Sequence, residues 1–144
     1  MDEPFETVFT ETEYYDGPRA GIANFCGKPH YYECLSPYNS TLFRLTPISS
    51  EVFDLALEDW AIWRRWSSAH REGRVSEKTH PALLDDRPRH LEIKAVLDQK
   101  LTTDEENCVM RRGIFRVVHE AGREPGLEVC WADPNEPGDS LWAE

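Results

Sequence analysis

The sequence lacks any run of basic residues longer than two, and its basic pairs, such as Arg64–Arg65 and Arg111–Arg112, are dispersed. Its 16 lysines and arginines stand against 27 acidic residues, which gives a formal net charge of −11. Phosphate backbones and anionic membranes repel such a surface. We therefore predict no nucleic-acid and no membrane partner. Simple solubility, or a basic protein partner, accounts for the charge better.

Long apolar segments and paired cysteines are also missing. No apolar run reaches the roughly 18 residues of a membrane-spanning helix. The opening MDEPFETVFT carries acids where a signal peptide needs positive charge, so a cytoplasmic location is expected. The four cysteines, Cys26, Cys34, Cys108 and Cys130, lack CxxC spacing. We expect reduced, mostly buried thiols, no metal and no cofactor.

The length and composition indicate one globular domain over residues 1–144, with a loose tail at 136–144. Hydrophobic residues make up 40% of the 144 residues and charged residues 30%, which is not a disordered composition. No internal repeat is visible.

The first forty-seven residues have the pattern of a β-meander. TVFTETEYY alternates with period two, and AGIANFC, HYYECL and LFRLTPI are further predicted strands. Turns are predicted at Asp16–Pro18 and Gly27–Pro29, and Gly17 and Gly27 are expected to have restricted, positive φ angles.

The segment SSEVFDLALEDWAIWRRWSSAHREG predicts a long helix, with Ser49 or Ser50 as its N-cap and Gly73 at its end. One apolar face is predicted to be core: Phe53, Ala56, Leu57, Trp60 and Trp63. Leu55, Ile62 and Trp66 lie on an adjoining face. They either pack under a second helix or form a partner surface, because aromatic residues are enriched at binding hot spots.

The remainder predicts a Pro-containing connector, a shorter helix in RHLEIKAVLDQKL, and closing strands in CVMRRGIFRVVH and LEVCWADP. The expected fold is α+β. It has a curved antiparallel sheet of five to six strands, or a partly closed small barrel. One long and one shorter helix are inserted between strands four and five and cover the open face. The alternative is two layers with the helices on one flat face.

Three segments carry a family resemblance: YYDGPRAGIANFCGKPHYY, LEDWAIWRRW and THPALLDDRPRH. With their DGPxxGxA segment, GxPHxY turn, Trp-rich helix and HPAL-type connector, they resemble a family of small uncharacterised bacterial proteins. The resemblance covers most of the chain. It implies a bacterial, cytosolic setting and no particular activity.

Candidate chemistry is sparse. Cys26 and His30 can face each other across a turn as a nucleophile pair, with Glu33 or Asp16 to orient the imidazole, but no oxyanion-stabilising motif accompanies them. His70, His80 and His90 are spaced ten residues apart, which matches no metal-ligand motif. With Asp85 and Asp86 between the last two, a metal or acid–base site is the alternative to separate helix-end and loop roles. GxSxG, HExxH and Walker motifs are absent.

The sequence therefore favours a non-enzymatic, acidic, protein-binding module, such as an inhibitor, an immunity-type protein or an accessory subunit, whose partner is a protein of basic character. The alternatives are a small-molecule-binding domain built on the Tyr-rich hairpins and a small enzyme that uses Cys26, His30 and Glu33. The predicted binding residues are Tyr14, Tyr15, Asp16, Arg19, His30, Tyr32, Ile62 and Trp66.

Overall fold

A computed structural model describes residues 4–14, 17–36, 39–119, 126–135 and 140–143 of the chain. The chain forms two compact units. The barrel unit comprises residues 1–48 and 103–144, and the helical unit comprises residues 49–102. Strands and helices are both present, so the predicted α+β class is confirmed.

The barrel unit is built from antiparallel strands whose pairing forms a ring. The described strands are β1 (Glu6–Val8), β2 (Glu13–Tyr14), β3 (Pro18–Phe25), β4 (Lys28–Ser36), β5 (Asn39–Pro47), β6 (Val109–Val118) and β7 (Gly126–Ala132). Their order is β1-β7-β6-β5-β4-β3-β2, and β1 also pairs with β3. Six strands therefore close into a barrel, and β2 extends β3 as a seventh strand.

Closure of this ring makes the predicted fold wrong. The predicted fold is a curved or partly closed sheet of five to six strands with an open face, and a closed barrel has no open face for helices to cover. The helices also follow the fifth strand and precede the sixth, rather than lying between strands four and five. The strand count differs because TVFTETEYY forms two short strands, β1 and β2.

The break between β1 and β2 has a local physical cause at Thr10. The backbone amides of Phe9 and Thr10 both donate to the carbonyl oxygen of Ile22, and the Ile22 amide donates to the Thr10 Oγ1 (2.9 Å). A side-chain oxygen thus replaces a backbone carbonyl in the ladder and interrupts its register. Before the break β1 pairs with both β7 and β3, and this double pairing closes the barrel.

The turn between β3 and β4 fixes the hairpin that carries several predicted site residues. Cys26 and Gly27 are its central residues and both have positive φ, 53° and 77°, as a two-residue type I′ turn requires. The carboxylate of Glu6 accepts hydrogen bonds from both of their amides. Gly17 has φ of 137°, so the predicted positive φ angles of Gly17 and Gly27 are confirmed.

Aromatic side chains fill the barrel interior. Tyr32, Phe43 and Phe115 are completely buried, and their rings lie 5.7–6.0 Å from one another. Trp131 joins them at 5.6 Å from Phe43, and its Nε1 donates to the carbonyl oxygen of Asn24. Small barrels are generally filled by side chains in this way.

Residues 140–143 lie within the predicted loose tail and are tied to the barrel. The Phe115 amide donates to the Leu141 carbonyl oxygen, and the Ala143 amide donates to that of Phe115. Leu141 is buried in the barrel core and Trp142 packs against it. Residues 136–139 and 144 lie outside the described part of the chain.

The helical unit consists of α1 (Ser50–Arg71), α2 (Arg87–Lys100) and a connector with two short 3-10 turns. Ser49 is the N-cap of α1, since its Oγ accepts from the Val52 amide (3.2 Å). Gly73 follows the last turn with φ of 75°, which confirms the predicted end of the helix. Neither described helix is both long and apolar enough to cross a membrane.

The core of the helical unit lies on the adjoining face of α1. Ile62 packs with Ala82 and Ile93, all at about 1% exposure. Trp66 is also buried, and its Nε1 donates to Thr79 Oγ1 (2.8 Å). On the face predicted as core, Ala56 is buried, whereas Trp60 and Trp63 stack on each other and remain half-buried.

Two bidentate ion pairs join α1 to the segment that contains α2. Arg65 donates to both carboxylate oxygens of Asp86, and Arg89 donates to both carboxylate oxygens of Glu58. The hydrogen bonds from Arg65 hold the pKa of Asp86 below its ordinary value. Because three of these four groups are exposed, the pairs fix geometry more than they stabilise the fold.

Candidate functional site

The predicted tyrosine cleft does not form among the described residues. Tyr32 is completely buried, and its hydroxyl donates to the Thr10 carbonyl oxygen (2.8 Å). Tyr14 is 58% exposed on β2, so these two side chains occupy different environments. Tyr15 and Asp16 lie outside the described residues. Ile62 and Trp66 lie in the helical core, where their side chains are inaccessible to a partner of the folded unit.

The proposed catalytic group of Cys26, His30 and Glu33 is not assembled either. His30 and Glu33 are three residues apart on β4, so their side chains point to opposite faces of the strand. His30 donates from Nδ1 to the Lys28 carbonyl oxygen (2.8 Å), and Cys26 is exposed at the turn. Arg19 is half-buried on β3.

The three histidines at ten-residue spacing have different partners. His90 donates from Nδ1 to Asp59 Oδ1 (2.6 Å). His70 stacks on the Trp66 ring, and His80 meets the same ring edge-on. No group of three or more metal-ligating side chains occurs in the part of the chain that the structure describes.

An acidic turn precedes β6 and is held firmly to the barrel. The Asn107 amide donates to the Asp104 carbonyl oxygen, and the Glu106 amide donates to Asp104 Oδ1. The Asp104 amide in turn donates to the Oγ1 of Thr46, a buried residue of β5 (3.2 Å). The carboxylates of Asp104, Glu105 and Glu106 are therefore presented to solvent by an ordered backbone.

Exposed apolar side chains begin β6 directly beside this turn. Val109 is 37% exposed and Met110 is 38% exposed. Met110 is paired across the sheet with Arg44, whose guanidinium lies 3.9 Å from Glu105. We define the 104–110 face as Asp104, Glu105, Glu106 and Met110, because Val109 points to the opposite side of β6. An apolar contact beside charged residues is typical of protein interfaces.

The sequence prediction misses this face because TTDEEN by itself indicates only a polar break. The signal is nevertheless present in the sequence. Three consecutive acids are followed, after three residues, by Met110. What the sequence alone does not provide is the anchoring of the turn to Thr46, which is 58 residues away from Asp104 along the chain.

A polar cluster on β4 lies next to the start of this segment. Tyr31 donates from its hydroxyl to Glu33 Oε2 (3.0 Å), and Thr103 donates to Glu33 Oε1 (2.9 Å). Burial, and then the charge of Glu33, raise the pKa of Tyr31 well above its ordinary value of 10.0. Burial raises the pKa of Tyr32 in the same direction. Both tyrosines therefore remain neutral in the folded barrel at physiological pH.

The raised pKa of Tyr31 predicts alkaline sensitivity. The unfolded chain ionises this group near pH 10.0, whereas the folded chain resists its ionisation. The contribution of Tyr31 to the unfolding free energy is therefore fully present below about pH 10 and is lost as the pH rises above it. Tyr31→Phe should therefore make the fall in unfolding free energy above pH 10 less steep. At pH 7 it should cost about 0.5–1.5 kcal/mol through the lost hydrogen bond. Urea unfolding at pH 7–11 measures both effects, and an unchanged alkaline slope would contradict the prediction.

Comparisons with known proteins return nothing for this chain. No protein-family model matches it, and no curated protein or solved structure is significantly similar. The resemblance to the bacterial family described above therefore stays a prediction.

Proposed function

We propose that this protein is a non-enzymatic binding module that takes a basic protein partner on the 104–110 face. The observation that carries the proposal is the combination of an ordered acidic turn with an exposed methionine at the start of β6. A preformed turn reduces the ordering cost of association, and a methionine adapts its shape to an apolar partner surface.

The distribution of charge between the two units supports a basic partner. The barrel unit holds 17 of the 27 acidic residues but only 7 of the 16 basic ones. The helical unit holds 10 acidic and 9 basic residues, which nearly balance. The excess of negative charge therefore belongs to the barrel unit, which favours its association with a cationic protein.

The two alternatives have weaker support. A ligand cleft built on the tyrosine hairpins needs an accessible Tyr32, and this side chain is packed among Phe43, Phe115 and Trp131. An enzyme built on Cys26, His30 and Glu33 needs these side chains to converge, and Glu33 hydrogen-bonds Tyr31 and Thr103 on the other side of β4.

Site-specific photo-crosslinking in the native cell tests the proposal. A photoreactive phenylalanine analogue at Met110 should give one predominant adduct with a protein of basic isoelectric point. The matched control places the same analogue at Val117, which is 49% exposed near the other end of the same strand. This position should give no such adduct.

The adduct at Met110 should also weaken when the rim is neutralised. The variant Asp104→Asn, Glu105→Gln and Glu106→Gln removes three charges but retains side-chain acceptors of similar size. In particular, the side-chain oxygen introduced at position 104 would still accept from the backbone amide of residue 106. Equal adducts at both positions, or a predominant acidic partner, would refute the proposed function.

A further inference from the structure

Two side chains from opposite strands meet at one mouth of the barrel. In the closed ring of six strands, β6 and β3 stand three places apart in either direction. Arg111 of β6 nevertheless places its Cζ 5.3 Å from the ring centroid of Phe25 on β3. The His30 imidazole meets the same Phe25 ring edge-on, at 5.3 Å and 88°. The cluster of Phe25, His30 and Arg111 therefore closes this mouth.

The guanidinium of Arg111 retains donors that the described residues do not use. It has five N–H groups, and Nη1 donates to the carbonyl oxygen of Met110. No carboxylate of the described residues pairs with Arg111, whereas Arg116 pairs with Glu128 at 2.7 Å and Arg44 lies 3.9 Å from Glu105. The nearby carboxylate of Glu6 is held by the amides of Cys26 and Gly27.

The imidazole of His30 has one nitrogen committed to the backbone. A carbonyl oxygen only accepts hydrogen bonds, so Nδ1 carries the proton that is donated to Lys28. The His30 side chain is largely enclosed, at 9% exposure, so it serves as a wall of the mouth. Its ring also supplies an aromatic edge beside Phe25.

From this arrangement we propose that the mouth formed by Phe25, His30 and Arg111 binds a small organic carboxylate. The carboxylate accepts hydrogen bonds from the Arg111 guanidinium, whose planar fork matches two carboxylate oxygens. An aromatic or other flat apolar body contacts the part of the half-buried Phe25 side chain that Arg111 and His30 leave uncovered. This site is separate from the 104–110 face and does not depend on the protein-binding proposal.

The proposal is tested by NMR titration of the wild-type protein with benzoate, with benzamide as the neutral comparator of the same shape. Saturable shifts of the Arg111 Nε–Hε and His30 ring signals are expected with benzoate and not with benzamide. A short peptide with a free C-terminus, compared with its amidated form, tests whether a peptide terminus supplies the same group. If the peptide with the free C-terminus shifts these signals and benzoate does not, the site belongs to peptide termini and the proposal of a small-acid ligand is overturned.

Variants separate the site from general charge effects. Arg111→Gln should weaken benzoate binding by about tenfold or more, because the charge-assisted donors are lost. Arg116→Gln removes an arginine that is paired with Glu128 and should leave the affinity unchanged. The neutralised 104–106 variant should bind benzoate as the wild type does, whatever happens to its protein binding.

The wild-type titration alone can overturn the proposal, even if Arg111→Gln fails to fold. The absence of saturable Arg111 shifts up to about 20 mM benzoate would exclude an affinity in the millimolar range or tighter. Equal responses to benzoate and benzamide would show that the carboxylate is not recognised. Either result would leave Arg111 as a structural closure of the barrel mouth.

Discussion

Replacing Phe115 by alanine is expected to lower the free energy of unfolding by about 3–5 kcal/mol. Phe115 is completely buried at the centre of the barrel, where its ring contacts those of Tyr32, Phe43 and Trp131. Removal of the ring loses the transfer free energy of its carbons and leaves a cavity that the closed strands cannot collapse to fill. Total stabilities are typically about 5–15 kcal/mol, so this change alone would unfold a large fraction of the molecules.

The matched control for Phe115 is Val117→Ala, two residues along the same strand. Val117 is 49% exposed, so its truncation should change stability by only about 0.5 kcal/mol. Chemical denaturation followed by near-ultraviolet circular dichroism measures both variants. A Phe115→Ala protein about as stable as the Val117→Ala protein would show that the aromatic interior does not stabilise the barrel.

The second large effect is expected in the helical unit, where Ile62→Glu should abolish the packing of α1. Ile62 is 1% exposed and contacts Ala82 and Ile93. A glutamate there would bury an unpaired charge, or force protonation of its carboxyl group, at a cost of several kcal/mol. Thermal unfolding followed by far-ultraviolet circular dichroism should show that the variant loses its helical signal at a much lower temperature than the wild type.

The control for this change is Ala61→Glu, one residue earlier on the same helix. Ala61 is exposed, so the same charge should be tolerated there. A stable, monodisperse Ile62→Glu protein would contradict the assignment of this face to the core. It would instead favour the alternative in which Ile62 and Trp66 form a partner surface.

Local rules of backbone chemistry are sufficient for much of the secondary structure. The N-cap at Ser49 follows from a hydroxyl near the start of an apolar periodic run. The positive φ angles at Gly17, Gly27 and Gly73 follow from turn and helix-end chemistry. Each of these features depends on a few consecutive residues, which is why it can be predicted from the sequence.

Closure of the barrel could not be predicted in the same way. It depends on Thr10 using its side chain as an acceptor for the Ile22 amide, and on β1 pairing with both β7 and β3. Gly21 permits the close approach, since a Cβ atom at this position would overlap the Thr10 carbonyl group. Alternation along TVFTETEYY does not reveal where a strand changes its partner.

The buried face of α1 is ambiguous in the sequence for a different reason. Apolar residues cover more than half of this helix, so its periodicity does not select one face. The structure buries Ile62 and Trp66 and leaves Trp60 half-buried, because the connector and α2 supply Ala82, Thr79 and Ile93 as partners. The 104–110 face is similarly hidden, since its order depends on the distant Thr46.

The central claim is that the 104–110 face binds a basic protein. Its most direct test measures the binding kinetics of the partner identified by crosslinking, purified in its free form. Neutralising Asp104, Glu105 and Glu106 should slow association by about tenfold at low salt and reduce its salt dependence, with dissociation little changed. Met110→Ala should instead accelerate dissociation, because it removes the apolar contact. Association and dissociation rates unchanged in both variants would place the partner elsewhere on the molecule and contradict the claim.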